Sequence, residues 1–284
     1  SIQEMFMFQK ESEKARALSL ISIYKAGSGH PGGALSCTDV IAYLFLKEMS
    51  FDISNFQIKK RDRFILSKGH CAPALYAVGA IVGIMAEARL NGLRKINHEL
   101  QGHTCRTNVP WVEASTGSLA QGFSFAIGEA KGLKMQNIQN RVYAMVGDGE
   151  LQEGQIWEGA MFSSHHKLDN LCVIIDYNKM QSDDLNENII GLEPLTDKWA
   201  SFGWNVININ GHDFSEIESA FNIARSCKQR PTVIIANTIK GKGVSYMEGV
   251  PTWHGSVKLS DKDITKALLE LDYSQSEIAG VTNV

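Results

Sequence analysis

Apolar residues recur at helical spacing over 4–25, 39–49, 72–90, 118–136, 154–167, 215–228 and 261–271, and continuous apolar runs of strand length fall at 63–66, 142–146, 171–176, 204–209 and 232–238. From residue 118 onward the two patterns alternate. Such alternation requires crossover helices between parallel strands. The expected fold is α/β, a parallel sheet with helices on both faces and with ligands at the carboxyl ends of its strands. The stretch 92–118 has little periodicity and is broken by Gly102, Pro110 and Gly117, which predicts a long ordered loop serving a site; 180–195 reads the same way. Neither a repeat nor a Pro/Ser linker interrupts the chain, so residues 1–284 read as a single domain with an N-terminal helix and a weakly held tail over the last dozen positions.

Composition narrows the partners. With 44% apolar and 21% charged residues, the chain is long enough for a sizeable core. Its formal net charge of -3 provides no broad basic field for nucleic acid or an anionic membrane, so any anion must be gripped locally. The cysteines at 37, 71, 105, 172 and 227 are odd in number and without a CxxC pair, which argues against a disulfide framework or structural zinc and points to reducing cytoplasm. Charges at Glu4, Lys10, Glu11, Glu13 and Lys14 deny the start a signal-peptide core, and no run approaches the ~18 apolar residues of a membrane span. The expectation is a soluble, cytoplasmic protein.

The run Val142–Val146 ends on Gly147-Asp148-Gly149, and Leu171–Ile175 ends on Asp176-Tyr177-Asn178. Two buried strands thus carry Asp148 and Asn178 to one sheet edge. A carboxylate and an amide oxygen placed that way, with glycine on each side of the carboxylate, suit a small hard cation that bridges to phosphates, which predicts a diphosphate held through magnesium. His30, His70, His103 and His254 each sit beside glycine in turn-like contexts. Singly each reads as a surface or capping residue; as a set beside a metal–diphosphate site they suit proton transfer near neutrality and hydrogen bonds to phosphate or hydroxyl oxygens. His165 and His166 close a predicted helix and read as its C-terminal cations.

Rival sites fit less well. No two of the four histidines have the short spacing of zinc ligands. The turn from Gly147 to Gly154 lacks GxGxxG and puts acids where a pyrophosphate would approach, which repels it unless a cation intervenes. Gly241-Lys242-Gly243 is not a Walker loop; Lys240 and Lys242 read either as phosphate counter-charges or as solvated loop lysines. Thr116 to Gly122 opens a helix whose first backbone groups face a ligand, with Leu119 as an apolar contact, while Ser118 reads equally as an ordinary N-cap. Glu153 and Glu158 read as surface acids unless a subunit interface buries them.

Gly147-Asp148-Gly149 with Asn178, taken in order with Ser28-Gly29-His30-Pro31-Gly32, the segment Asp62 to His70, Ser115 to Gly122, Lys240 to Gly243 and Trp253-His254-Gly255, resembles transketolase over about residues 10–258. The match covers the amino-terminal third of a full-length transketolase, as in the separate amino-terminal subunit of a split transketolase. The resemblance implies a thiamine-diphosphate-binding fold with thiamine diphosphate and Mg2+ (or Ca2+ or Mn2+) as cofactors. It implies metal ligation by Asp148, Asn178 and the main-chain carbonyl of Met180, and contacts to the diphosphate from Gly149, His70, Lys240 and His254. It implies Gly117, Ser118 and Leu119 against the aminopyrimidine, His30, His103 and His254 as catalytic groups around the sugar, and Glu153 in an acid cluster linking paired sites. The implied reaction moves a two-carbon ketol unit from a ketose or ketose phosphate to an aldose. The implied partner is a carboxyl-terminal transketolase subunit whose pyrimidine-binding domain supplies the catalytic glutamate, within a heterotetramer of two copies of each chain, so the chain alone is expected to be inactive. Thr104-Cys105-Arg106 follow His103 where the family commonly has proline, and Ala120 stands where glycine is usual, which leaves room for an unusual nucleotide-linked or branched ketose. Alternatives are a 2-oxo acid dehydrogenase α-type subunit or a deoxyxylulose-phosphate-type synthase, both disfavoured by the four histidines, and a non-catalytic partner, disfavoured by intact Asp148 and Asn178.

Overall fold

The apolar runs become strands because each is covered on both faces. The computed structural model describes residues 1–182 and 184–283. In chain order the strands are Arg63–Leu66 (β1), Val142–Gly147 (β2), Leu171–Tyr177 (β3), Met180–Gln181 (β4), Asp184–Leu185 (β5), Asn205–Asn210 (β6) and Thr232–Asn237 (β7). Five of them form one parallel sheet in the order β1-β2-β3-β7-β6, and β4 and β5 make a separate antiparallel pair. The helices are Ile2–Ala26 (α1), Pro31–Tyr43 (α2), Ala72–Ile81 (α3), Gln121–Met135 (α4), Gly154–His165 (α5), Asn186–Ile189 (α6), Leu195–Ser201 (α7), Phe214–Ser226 (α8), Asp261–Glu270 (α9) and Gln275–Thr282 (α10).

Strand alternation sorts the core into two layers. Tyr143, Met145, Cys172, Ile174 and Ile234 pack with α1, α2, α3 and α8, whereas Ala144, Val146, Val173, Ile175, Val233 and Ile235 pack with α4, α5 and α7. Gly147 pairs with Asp176, and Tyr177 pairs with Asn237, so the carboxyl ends of β2, β3 and β7 finish level with one another. The chain leaves β3 for the edge strand β6 and returns to β7, which reverses the winding between β3 and β7. A crevice opens at such a reversal.

Several boundaries differ from the sequence reading. The helix expected from 39 begins at Pro31, because proline at the first turn starts a helix that the following Gly32 and Gly33 hide from any apolar periodicity. The helix expected over 72–90 stops at Ile81, ahead of the left-handed Gly83, and residues 87–92 form a separate 3-10 segment. Helix α4 starts at Gln121 with Ala120 in the cap position, so Ser118 is not its N-cap. Within the expected 180–195 loop lie the β4–β5 pair and α6; α7, absent from the reading, begins at its end and buries Leu195 and Trp199, four residues apart. The tail expected to be weakly held forms α10, with a capping box at Ser274 and Glu277 and with Ile278 buried. No helix among the described residues is long and apolar enough to cross a membrane.

Candidate active site

Strand β2 ends by placing Asp148 at the head of a short turn, where its carboxylate accepts the N–H of Gly149 at 2.8 Å and that of Lys179 at 2.6 Å. Strand β3 ends one residue before Asn178, whose Oδ1 accepts the N–H of Met180 at 3.1 Å. The two side chains predicted to share a cation therefore lie side by side at neighbouring strand ends. Asp148 is only 2% exposed, and burial together with the Asp176 carboxylate pushes its pKa up to about 6. A carboxylate that is costly to ionise in isolation becomes stable when a cation joins it.

Beneath them is a charge network absent from the sequence reading. Asp176 pairs with the Lys68 ammonium and accepts hydroxyl protons from Ser36, at 2.6 Å, and from Thr238. The amide of Asn178 also donates to it at 3.4 Å. Lys68 and Asp176 are buried, as is Glu150, which accepts backbone N–H groups from Gly147 and Ala120. A side chain's burial is not encoded locally, so these three were hidden inside motifs whose neighbours drew attention.

Across the crevice, Gly241 turns the chain after β7. Its φ of +79° is left-handed, and a Cβ there would lie 2.4 Å from the carbonyl oxygen of Met247, so only glycine fits. This turn aims Lys240 inward. Lys240 is 1% exposed, and its only side-chain hydrogen bond among the described residues is to Nδ1 of His254. Burial and the nearby Lys68 ammonium push Lys240 down to about 8, while burial and Lys240 push His254 down to about 3. Among the described residues this buried ammonium makes no ion pair within salt-bridge distance, and the buried Asp148 is one of the carboxylates whose field it feels.

The four glycine-flanked histidines converge. Ring centroids of His30 lie 5.4 Å from His70, 6.3 Å from His103 and 6.1 Å from His254, and those of His70 and His254 are 5.4 Å apart. Their loops meet through Gly69, where a Cβ would stand 2.5 Å from the Thr116 hydroxyl. Burial and the neighbouring His70 lower His30 to about 4 and also hold His103 below the usual imidazole range. The His30 ring is therefore neutral at pH 7, and its buried Nδ1 has no hydrogen-bond partner among the described residues. His165 and His166, read as helix-end cations, do end α5.

A cavity of about 390 Å3 joins these groups. Its lining includes His30, His70, His103, His254, Gly117, Leu119, Gly149, Glu153, Asp148, Asn178 and Met180, together with Lys68, Glu150 and Gln181, which the sequence reading did not assign. Lys240 reaches it through His254, whereas Ser118 is exposed and outside the lining. Glu153 is exposed at the cavity rim, and Glu158 is exposed on α5. The donor set fits a divalent cation with a diphosphate: oxygen ligands and a buried carboxylate on one wall, a buried ammonium and an imidazole on the other.

Comparison with known proteins agrees with this geometry. The family model described as transketolase, thiamine diphosphate binding domain, matches residues 8–279. The chain is 42% identical over 270 residues to the 6-deoxy-6-sulfo-D-fructose transketolase subunit SqwG of Clostridium sp. (strain MSTE9), covering 95% of this chain and 98% of that protein. It is 38% identical over 252 residues to an apulose-4-phosphate transketolase subunit from Phocaeicola vulgatus, covering 89% of each. Among solved structures, transketolase from Campylobacter jejuni superimposes with a TM-score of 0.87 at 30% identity, over 96% of this chain and 45% of that one. By fold, by motif and by these matches, the chain belongs to the transketolase family, as a thiamine diphosphate-binding domain of that family.

Proposed function

We propose that the chain is the amino-terminal subunit of a two-chain transketolase that moves a two-carbon ketol unit from a ketose donor to an aldose acceptor. The carrying observation is the convergence on one cavity of the buried Asp148 carboxylate, the Asn178 amide and four imidazoles, with the buried Lys240 ammonium held behind His254. Asp148, Asn178 and the Met180 carbonyl would hold Mg2+, with free lone pairs left on both side chains after their backbone hydrogen bonds. Lys240, His254, His70 and Gly149 would bind the diphosphate, and Gly117 and Leu119 would face the aminopyrimidine. When bound, thiamine diphosphate supplies the electron sink for breaking and making the sugar carbon–carbon bond.

The chain's own share is positioning and proton transfer. His30, neutral and with an unpartnered Nδ1, would take up and return a proton at a sugar hydroxyl oxygen, with His103 and His254 flanking it. The partner, a pyrimidine-binding chain, would supply the catalytic glutamate, in a heterotetramer, and the assembly would work in the cytoplasm. The relatives named for a sulfo-fructose and for apulose 4-phosphate support an unusual ketose bearing an anionic group as donor. Glu153, at the rim, would face the second site. Calorimetry of the chain mixed with its partner, titrated with thiamine diphosphate with and without Mg2+, tests the reading. Metal-dependent uptake followed by turnover on a sugar-phosphate and sugar-sulfonate panel is expected; uptake indifferent to metal would refute the ligand assignment.

A further inference from the structure

We infer that Glu150 is a positioning residue that locks the two halves of the cofactor cavity to each other. The inference rests on the thiamine diphosphate reading above and adds to it a group outside the assigned metal, diphosphate and proton-transfer sets. Glu150 is 2% exposed and its carboxylate draws donors from three separate segments. Oε2 accepts the N–H of Gly147, at 3.0 Å, which opens the metal-binding turn. Oε1 accepts the N–H of Ala120, at 2.8 Å, at the end of the Gly117–Leu119 segment, and also the hydroxyl of Ser67. That hydroxyl in turn accepts the N–H of Phe123 at 3.0 Å, in the first turn of α4.

Ala120 is the telling contact. Its φ is +70°, in the left-handed region that a residue with a Cβ occupies reluctantly, and it is fully buried. Nothing local favours that conformation, since the residue has no polar side chain to bond its own backbone. The Glu150 carboxylate supplies the missing hold from outside the segment. Leu119, one residue earlier, lines the cavity, so the backbone angle at Ala120 sets where that wall stands relative to Asp148. A buried acid that merely satisfied nearby amides would have no reason to join segments thirty residues apart in sequence, and its loss would not interact with the residue chosen at 120.

The test uses the full chain, alone and assembled with its partner. Glu150→Gln keeps the shape but offers one acceptor oxygen where the carboxylate offered two, which strands a buried N–H. In the cofactor-free chain, amide hydrogen exchange at Ala120 or Gly147 is expected to quicken about tenfold or more. In the assembly, affinity for thiamine diphosphate with Mg2+ is expected to fall about tenfold, and adding Ala120→Gly, which needs no hold, to recover most of that loss. Ala120→Gly by itself is expected to leave affinity within about twofold. Glu150→Asp, one methylene short, should shift both readouts the same way and serves where Glu150→Gln does not fold. Unchanged exchange, or an Ala120→Gly effect identical in both backgrounds, would overturn the inference. A wild-type assembly that takes up no cofactor would instead refute the cofactor reading, while the exchange result would still decide the tie.

Discussion

Lys68→Met tests the charge network under the strand ends that carry Asp148 and Asn178. The two side chains of the Lys68–Asp176 pair are 2% and 1% exposed, so neither charge has water to fall back on. Methionine fills nearly the same volume as the lysine stem, which keeps the packing term small. What is lost is the compensation of Asp176, and stranding one member of a buried pair costs about 3–5 kcal/mol. Ser36, Thr238 and Asn178 still donate to Asp176, which places the expected loss near the lower end, about 3 kcal/mol. Asp176→Asn should cost a similar amount, because it leaves the ammonium facing an amide and the Gly33 carbonyl at 3.5 Å. The double variant carries neither charge of the pair, so the two losses should fall short of additivity by about 2 kcal/mol. Urea unfolding of all four proteins, compared at constant m, measures this. A Lys68→Met cost under about 1 kcal/mol, or strictly additive losses, would refute the reasoning.

Other expectations follow from the same cavity. The pKa of Asp148 is raised in the fold, so its protonated form is favoured there, and cofactor-free stability should decline as pH rises from about 4 to about 6 and then level off. The drop should be on the order of 3 kcal/mol, and Asp148→Asn should flatten it while abolishing metal-dependent cofactor uptake, as read by denaturation at several pH values and calorimetry. Lys240 shows the opposite sign: its lowered pKa makes stability rise as pH climbs from about 8 toward 10.5, and Lys240→Met should remove that rise and weaken thiamine diphosphate binding. His30→Ala should lower turnover about 10²–10⁴-fold with little change in cofactor affinity, and kinetics showing the reverse pattern would move His30 out of the proton-transfer role.

The sheet was legible because buried parallel strands are written as unbroken apolar runs: Val142–Val146, Leu171–Ile175 and the 232–238 run each appear in the structure within a residue or two of their reading. The placing of Asp148 and Asn178 side by side was legible for the same reason, since a strand's end is a position in sequence as well as in space. Helix starts were less so, because Pro31-Gly32-Gly33 carries no apolar period and Ala120 no capping side chain, and both are fixed by what packs on them. Of the two readings open for Ser118, the local chemistry of an N-cap is overridden by the left-handed Ala120.

Taken alone, the sequence determined the fold class and the sheet edge that carries the candidate site, since each depends on periodicity or on residues close together in the chain. Tertiary structure decided which charges are buried and what they touch: the Lys68–Asp176 pair, the lone Lys240 ammonium and the Glu150 junction join residues 14 to 108 positions apart. Desolvation and long-range hydrogen bonding exist only once the chain has closed around those groups, and no local pattern of side chains can state them in advance.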